Sequence, residues 1–291
     1  MPRAAWSAFA VAFAIASGVA LYGQARERHV YVGVTTSNGA PVPNLGVADF
    51  TVREDDRPRE VLRVAPAPPP SHIAILVDTS AASQNIIPSI RDAVSRFVQT
   101  LSTLDTPPSL SIVTFGERPT VESPFTTSLP LTARAIVMLN ARPNSGAYFL
   151  DAVLETADAL KKQDPKPMQP AIVALTIDAT EEFSTLRAEI VADALKASGA
   201  SLWTVSLGAG GGDHRERARV IGDVTRDSGG MNRSTLAETG LDAAFNVVAS
   251  AILGRYDVVY GRPDALLPPS RLNVEVRNRA LRVSAPRWTG Q

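Results

Sequence analysis

Two aspartates and a serine carry the clearest chemistry in this chain. Asp78 follows the apolar run His72 to Val77 (HIAILV), and Asp178 follows Ala171 to Ile177 (AIVALTI). A continuous apolar run bounded by polar residues suits a strand buried on both faces of a parallel sheet. In an open α/β sheet, ligands sit just outside the carboxyl ends of the strands. Neighbouring strands would therefore bring Asp78 and Asp178 within reach of one another, with the Ser80 hydroxyl alongside. Such an oxygen-only set suits a hard cation such as Mg²⁺. The same residues also have a structural reading, in which the carboxylates accept loop N–H groups and cap the helices that follow.

Other chemistries find little support. The chain has no cysteine, which removes disulfides, zinc–thiolate sites and cysteine nucleophiles together. Its three histidines, His29, His72 and His214, are scattered. There is no G-x-S-x-G nucleophile elbow. Gly208 to Asp213 (GAGGGD) lies between a strand and a helix but lacks the Lys-Ser/Thr pair of a phosphate cradle, and reads as a plain loop. Glu181 and Glu182 read as solvated neighbours, and Asn232-Arg233-Ser234 as a formal glycosylation acceptor. With 29 acidic and 29 basic residues and no run of one sign, the chain has no basic stripe and no nucleic-acid partner is expected.

The positioning elements follow from periodicity. Ile86, Ile87, Ile90, Val94, Phe97, Val98 and Leu101 share one face of a helix after Asp78. Strands are expected at Leu110 to Phe115 and Leu202 to Leu207. Helices are expected at Ala133 to Leu139, Phe149 to Lys162, Leu186 to Ser198 (closed by Gly199), His214 to Arg226 and Leu241 to Leu253. This alternation predicts an α/β fold, a doubly wound and mainly parallel sheet flanked by helices. Residues 26–65 alternate with period two and contain the turn signals Asn38-Gly39 and Asp55-Asp56, giving a small β module. The proline-rich stretch 66–71 reads as a stiff linker to an α/β domain at 72–254. Strands at 255–291 are expected to pair back and complete a β-sandwich-like module.

Residues 1–25 read as an export signal. Arg3 opens it, no charge occurs from Ala4 to Ala25, and Gly23 and Ala25 permit cleavage before Arg26. The expected location is periplasmic or extracellular. A membrane enters only if the segment is retained as an anchor.

Three further stretches carry a resemblance. VDTSAAS at Val77 to Ser83 resembles the D-x-S-x-S start of the metal-ion-dependent adhesion site of von Willebrand factor type A domains. SGAYFLDAV at Ser145 to Val153 resembles that family's G-G-T-x-L-Y-D-A stretch, and LTIDATEEFS at Leu175 to Ser184 its L-T-D-G-x-D-x-S stretch. The leading VYVGVTTSNGAPVPNLGVADFTVREDDRPREV and the closing RYDVVYGRP resemble an exported bacterial subgroup carrying an N-terminal β module.

The resemblance implies a Rossmann-like fold and a non-enzymatic, adhesion-type protein-binding role. The ligand would be another protein, received at the rim around Asp78, Ala147 and Asp178. It also implies a metal site at Asp78, Ser80 and Asp178, holding Mg²⁺ or Mn²⁺. Two hydroxyls that the family aims at the metal are missing, replaced by Ala82 and Ala147, so the site is expected to be degenerate. Ser83 lies one residue late, and Ala179 replaces a glycine. The alternatives are a metal-assisted hydrolase using Asp78 and Asp178, and a structural cell-envelope component.

Overall fold

The computed structural model describes residues 25–208, 214–263, 267 and 269–288. Residues 1–24, which hold all but the last residue of the expected export signal, and the glycine-rich residues 209–213 lie outside the described residues. In chain order the strands are β1 (Ala25–Thr35), β2 (Phe50–Glu54), β3 (Arg57–Arg59), β4 (Val61–Pro66), β5 (His72–Val77), β6 (Ser109–Thr114), β7 (Thr120–Thr126), β8 (Ala171–Ile177), β9 (Ser201–Leu207), β10 (Asn232–Thr235), β11 (Arg255–Pro263), β12 (Leu272–Val276) and β13 (Arg282–Ser284). The helices are α1 (Ile87–Ser102), α2 (Leu129–Val137), α3 (Phe149–Lys161), α4 (Ala188–Ser198), α5 (Arg215–Arg219), α6 (Thr225–Asp227) and α7 (Leu241–Leu253).

The main sheet has the order β10-β9-β8-β5-β6-β7, parallel except for the antiparallel edge strand β7. Because strand side chains alternate in direction, β5 feeds two cores. Ile73, Ile75 and Val77 pack with α1, α2 and α7, whereas Ala74 and Leu76 pack with α3 and α4. From β5 the chain steps to β6 on one side and later to β8 on the other. The order therefore reverses between β5 and β8, the place where an open sheet leaves a crevice.

Three local departures from the sequence expectations have physical reasons. Helix α2 starts at Leu129 because Pro130 occupies the first turn, where its missing N–H has no role. The helix expected at His214 to Arg226 contains a π-turn at Val220–Val224, and the Thr225 hydroxyl donates to Val220 O at 2.9 Å inside it. Strand β10 has no apolar run. It is an exposed polar edge strand, and the Oδ1 of Asn232 accepts from Thr204 (2.9 Å) and Ser206 (3.0 Å).

The remaining strands form two sheets, β13-β1-β11-β4 and β12-β2-β3, which share a core of Val30, Val32, Val34, Phe50, Val52, Tyr256, Val258, Leu272 and Val274. Asn38-Gly39 does turn, with Gly39 at φ +90°, but β1 and β2 do not pair. Pro41 and Pro43 lack the N–H groups a ladder needs, and the return is limited to a single bridge, Thr35 to Pro41. Within the proline-rich stretch, Pro66 still belongs to β4, and Ala67 N–H donates to Arg255 O at 2.8 Å.

Candidate functional site

Three loops meet above the β5–β8 crevice. The first follows β5 and carries Asp78, Thr79 and Ser80, all buried. The Oδ1 of Asp78 accepts from Ser80 N–H (3.0 Å) and its Oδ2 from Ile177 N–H (3.2 Å), so both carboxylate oxygens bind backbone. Burial pushes the Asp78 carboxyl above its ordinary range, opposed in part by these bonds and by the charge of Arg217. The Ser80 hydroxyl lies 2.8 Å from the Thr180 hydroxyl on the third loop. Ser83 does not substitute for the missing serine. Its hydroxyl turns back to donate to Ser80 O at 2.8 Å, closing the short turn Ala81–Ser83.

The second loop, ahead of α3, is joined to both of its neighbours through backbone. Ala81 N–H donates to Ser145 O (3.1 Å) and Arg142 N–H to Thr79 O (2.7 Å). Ala147 N–H donates to Glu181 O, and Phe183 N–H to Ala147 O, each at 2.7 Å. The methyl of Ala147 is fully buried in the α3–α4 core, and Ala82 packs on the opposite core.

The third loop begins at the half-buried Asp178, whose N–H donates to Leu207 O at 2.9 Å. Gly208 is required beside it. At φ +130° a side chain is strained, and a Cβ there would lie 2.8 Å from the Asp178 Cβ. Gly116 is required on the other flank, because a Cβ would come within 2.4 Å of the Thr79 carbonyl.

Two buried charged residues that composition did not flag, one in this loop and one behind it, hold it in place. Glu182 is not solvated. It is 3% exposed, and its Oε1 accepts from Phe149 N–H (2.9 Å) and Ser184 N–H (3.3 Å), which caps the start of α3. Burial raises its carboxyl above the ordinary range. Arg217 of α5 is 4% exposed and donates to Thr180 O (3.0 Å) and Ile177 O (2.8 Å), with its Nε 3.9 Å from Glu182 Oε2. No sequence pattern marks either burial.

Residues 73–180 match the family model of the von Willebrand factor type A domain, a span running from β5 to the third loop. The chain carries a von Willebrand factor type A domain. No curated protein matches the sequence. Among solved structures, a type A protein from Catenulispora acidiphila is 11% identical with a TM-score of 0.50, over 92% of this chain and 75% of that one. Proximal thread matrix protein 1 from the mussel byssus, solved with a zinc-occupied MIDAS motif, is 15% identical with a TM-score of 0.51. That match covers 69% of this chain and 49% of the mussel protein, so the likeness spans about half of the latter. At these identities the likeness concerns the fold.

The type A fold raises the question of a divalent cation, and the donor set here does not fit one. Mg²⁺ takes about six oxygens in near-ideal octahedral geometry. The first-loop hydroxyls are engaged elsewhere, Ser80 with Thr180, Thr79 with Gly116 N–H and Ser83 with Ser80 O, and Ala82 and Ala147 offer methyls that are packed into apolar cores. Among the described residues no group of three or more His, Cys, Asp and Glu side chains is arranged to hold a metal.

Proposed function

We propose that this protein is an exported, non-enzymatic protein-binding module whose recognition surface is the rim around Asp78, Ala147 and Asp178. Type A domains are generally interaction modules, and the feature that favours the rim here is a cleft beside Ala147. The cleft has a volume of about 360 Å³ and is lined by Glu117, Arg142, Asn144, Ser145, Tyr148 and Phe183, among others. Phe183 is 42% exposed and meets Tyr148 edge to face, with ring centroids 6.0 Å apart. Among the described residues, Arg142 has no carboxylate within 4.0 Å. An exposed phenylalanine and a half-buried tyrosine beside an uncompensated guanidinium are the kinds of group that dominate protein interfaces. Export is supported by the uncharged stretch Ala4 to Ala25. A hydrolytic role would need a placed base, whereas both Asp78 oxygens are committed to backbone N–H groups.

A displayed random-peptide library, panned on the chain from Arg26, tests this reading. Enriched peptides are expected to carry a carboxylate next to an aromatic or aliphatic residue. They should bind R142A and F183A at least about tenfold more weakly, as interface anchors do. They should bind L62S, altered on the β module, as they bind the parent. Enrichment indifferent to both rim substitutions, or no enrichment at all, overturns the reading.

A further inference from the structure

We propose that the guanidinium of Arg217 is the resident cation of the rim, fastening its three loops together and excluding divalent ions from the space above Asp78. The argument starts from what the side chain touches. Two of its nitrogens bond the carbonyls of Ile177 and Thr180, which flank Asp178 in the chain. Thr180 passes the connection to the first loop through its hydroxyl contact with Ser80. Glu182, 3.9 Å from Arg217 Nε, passes it to the second, because the same carboxylate accepts Phe149 N–H at the start of α3. One fixed charge thus stands behind all three loops, the place a cation binding from above would otherwise organise.

The choice of arginine suits that task. A guanidinium stays charged at any accessible pH and offers five donors in a rigid plane, so its anchorage does not depend on ion supply. A buried positive charge repels a second cation far more strongly than an exposed one, since little solvent screens it. The losses at Ala82 and Ala147 are consistent with this substitution. Their methyls belong to apolar packing, and the oxygens of Asp78 and Ser80 are bonded within the protein. Recognition at the rim is therefore indifferent to divalent cations, and the loops are assembled before any partner arrives.

The test restores the missing hydroxyls and then varies the charge. In the A82S/A147T background, Mn²⁺ affinity is measured by calorimetry and by the paramagnetic signal of free Mn²⁺. R217Q removes the charge while keeping donors, and R217K keeps the charge while losing the fork. The proposal expects R217Q to raise Mn²⁺ affinity at least about tenfold and R217K to leave it unchanged, although both lower the melting temperature. A purely structural arginine would move stability in both variants and affinity in neither. Equal gains from R217Q and R217K, or no gain from either, overturn the proposal. So does a fall in the parent protein's melting temperature on chelation with EDTA.

Should R217Q fail to fold, E182Q in the same background decides. Removing the negative partner leaves the guanidinium less neutralised, and Mn²⁺ affinity should fall by about threefold or more. Unchanged affinity overturns the proposal.

Discussion

The molecule buries a glutamate beside arginine in two places, and the two are built for different work. In the β module, Glu54 of β2 takes Arg59 Nε at 2.9 Å, Arg262 Nε at 3.4 Å and the Tyr260 hydroxyl at 2.9 Å. Arg262 and Tyr260 belong to β11 of the facing sheet, so side chains bind one sheet to the other. At the rim the direct contact is long, 3.9 Å, and both partners turn to backbone instead: Glu182 to two amides, Arg217 to two carbonyls. The first arrangement joins layers, and the second shapes loops. A buried pair adds little net stability over an apolar substitute, yet removing one partner strands the other. The two sites should therefore respond differently to truncation.

The sharpest break is E54A, which leaves Arg59 and Arg262 facing each other in the module without their common anion. A loss of about 3–5 kcal/mol is expected in urea unfolding, with the β module the part that loosens. E182A should cost less, about 2–3 kcal/mol, because Arg217 keeps both carbonyl partners while two amides lose an acceptor. Equal losses at the two sites would show that the backbone bonds at the rim contribute nothing of their own.

The pH dependence isolates Glu182 further. Burial raises its folded pKa above the unfolded value of 4.5, so the native state retains the proton longer. The stabilisation linked to that proton is complete below 4.5 and is lost as pH rises through the folded pKa. E182Q has no such titration, so its melting temperature should gain on the parent's from pH 4 upward, as followed by circular dichroism. A constant offset between the two curves would sink this assignment. The smallest effect belongs to an exposed pair, Arg96 of α1 with Asp242 of α7, whose Nε–Oδ1 distance is 2.7 Å. Despite its short contact, R96A should unfold within error of the parent, because solvent screens the charges.

These contrasts also mark what a sequence can disclose. The buried strands β5, β8 and β9 are legible because continuous apolar runs have few other uses, and Gly199 marks the end of α4 by its φ of +70°. Asp78 and Asp178 are legible as strand-end carboxylates. Edge strand β10 is not, since solvent on its outer side removes the apolar signal. Glu182 and Arg217 are hidden for a deeper reason: a charged side chain is buried only where distant segments supply its partners, and those partners are carbonyls and amides that every residue possesses. At Asn38-Gly39 the local mark against a hairpin, Pro41 and Pro43, is readable, but nothing local names the strand that pairs with β1 instead. The competing strand, β11, lies more than two hundred residues away.

The placement of β11 has a mechanical consequence. Residues 25–35 are zipped to β11 along nine pairs and to β13 along three, while the α/β domain leaves the sheets at Ala67 and returns at Arg255 with those two points bonded together. Tension between Ala25 and the α/β domain, which joins β11 at Arg255, would load the β1–β11 ladder in shear, because those two points lie at opposite ends of its nine pairs. At its other end the chain is tied to the α/β domain directly: Pro286 bridges to Ser228, Arg287 N–H donates to Asp227 O at 2.8 Å, and Trp288 packs against the core shared by β5, β8 and α3. The α/β domain is thus braced against the β module at two separate places, which limits how far it can swing about the Ala67–Arg255 junction.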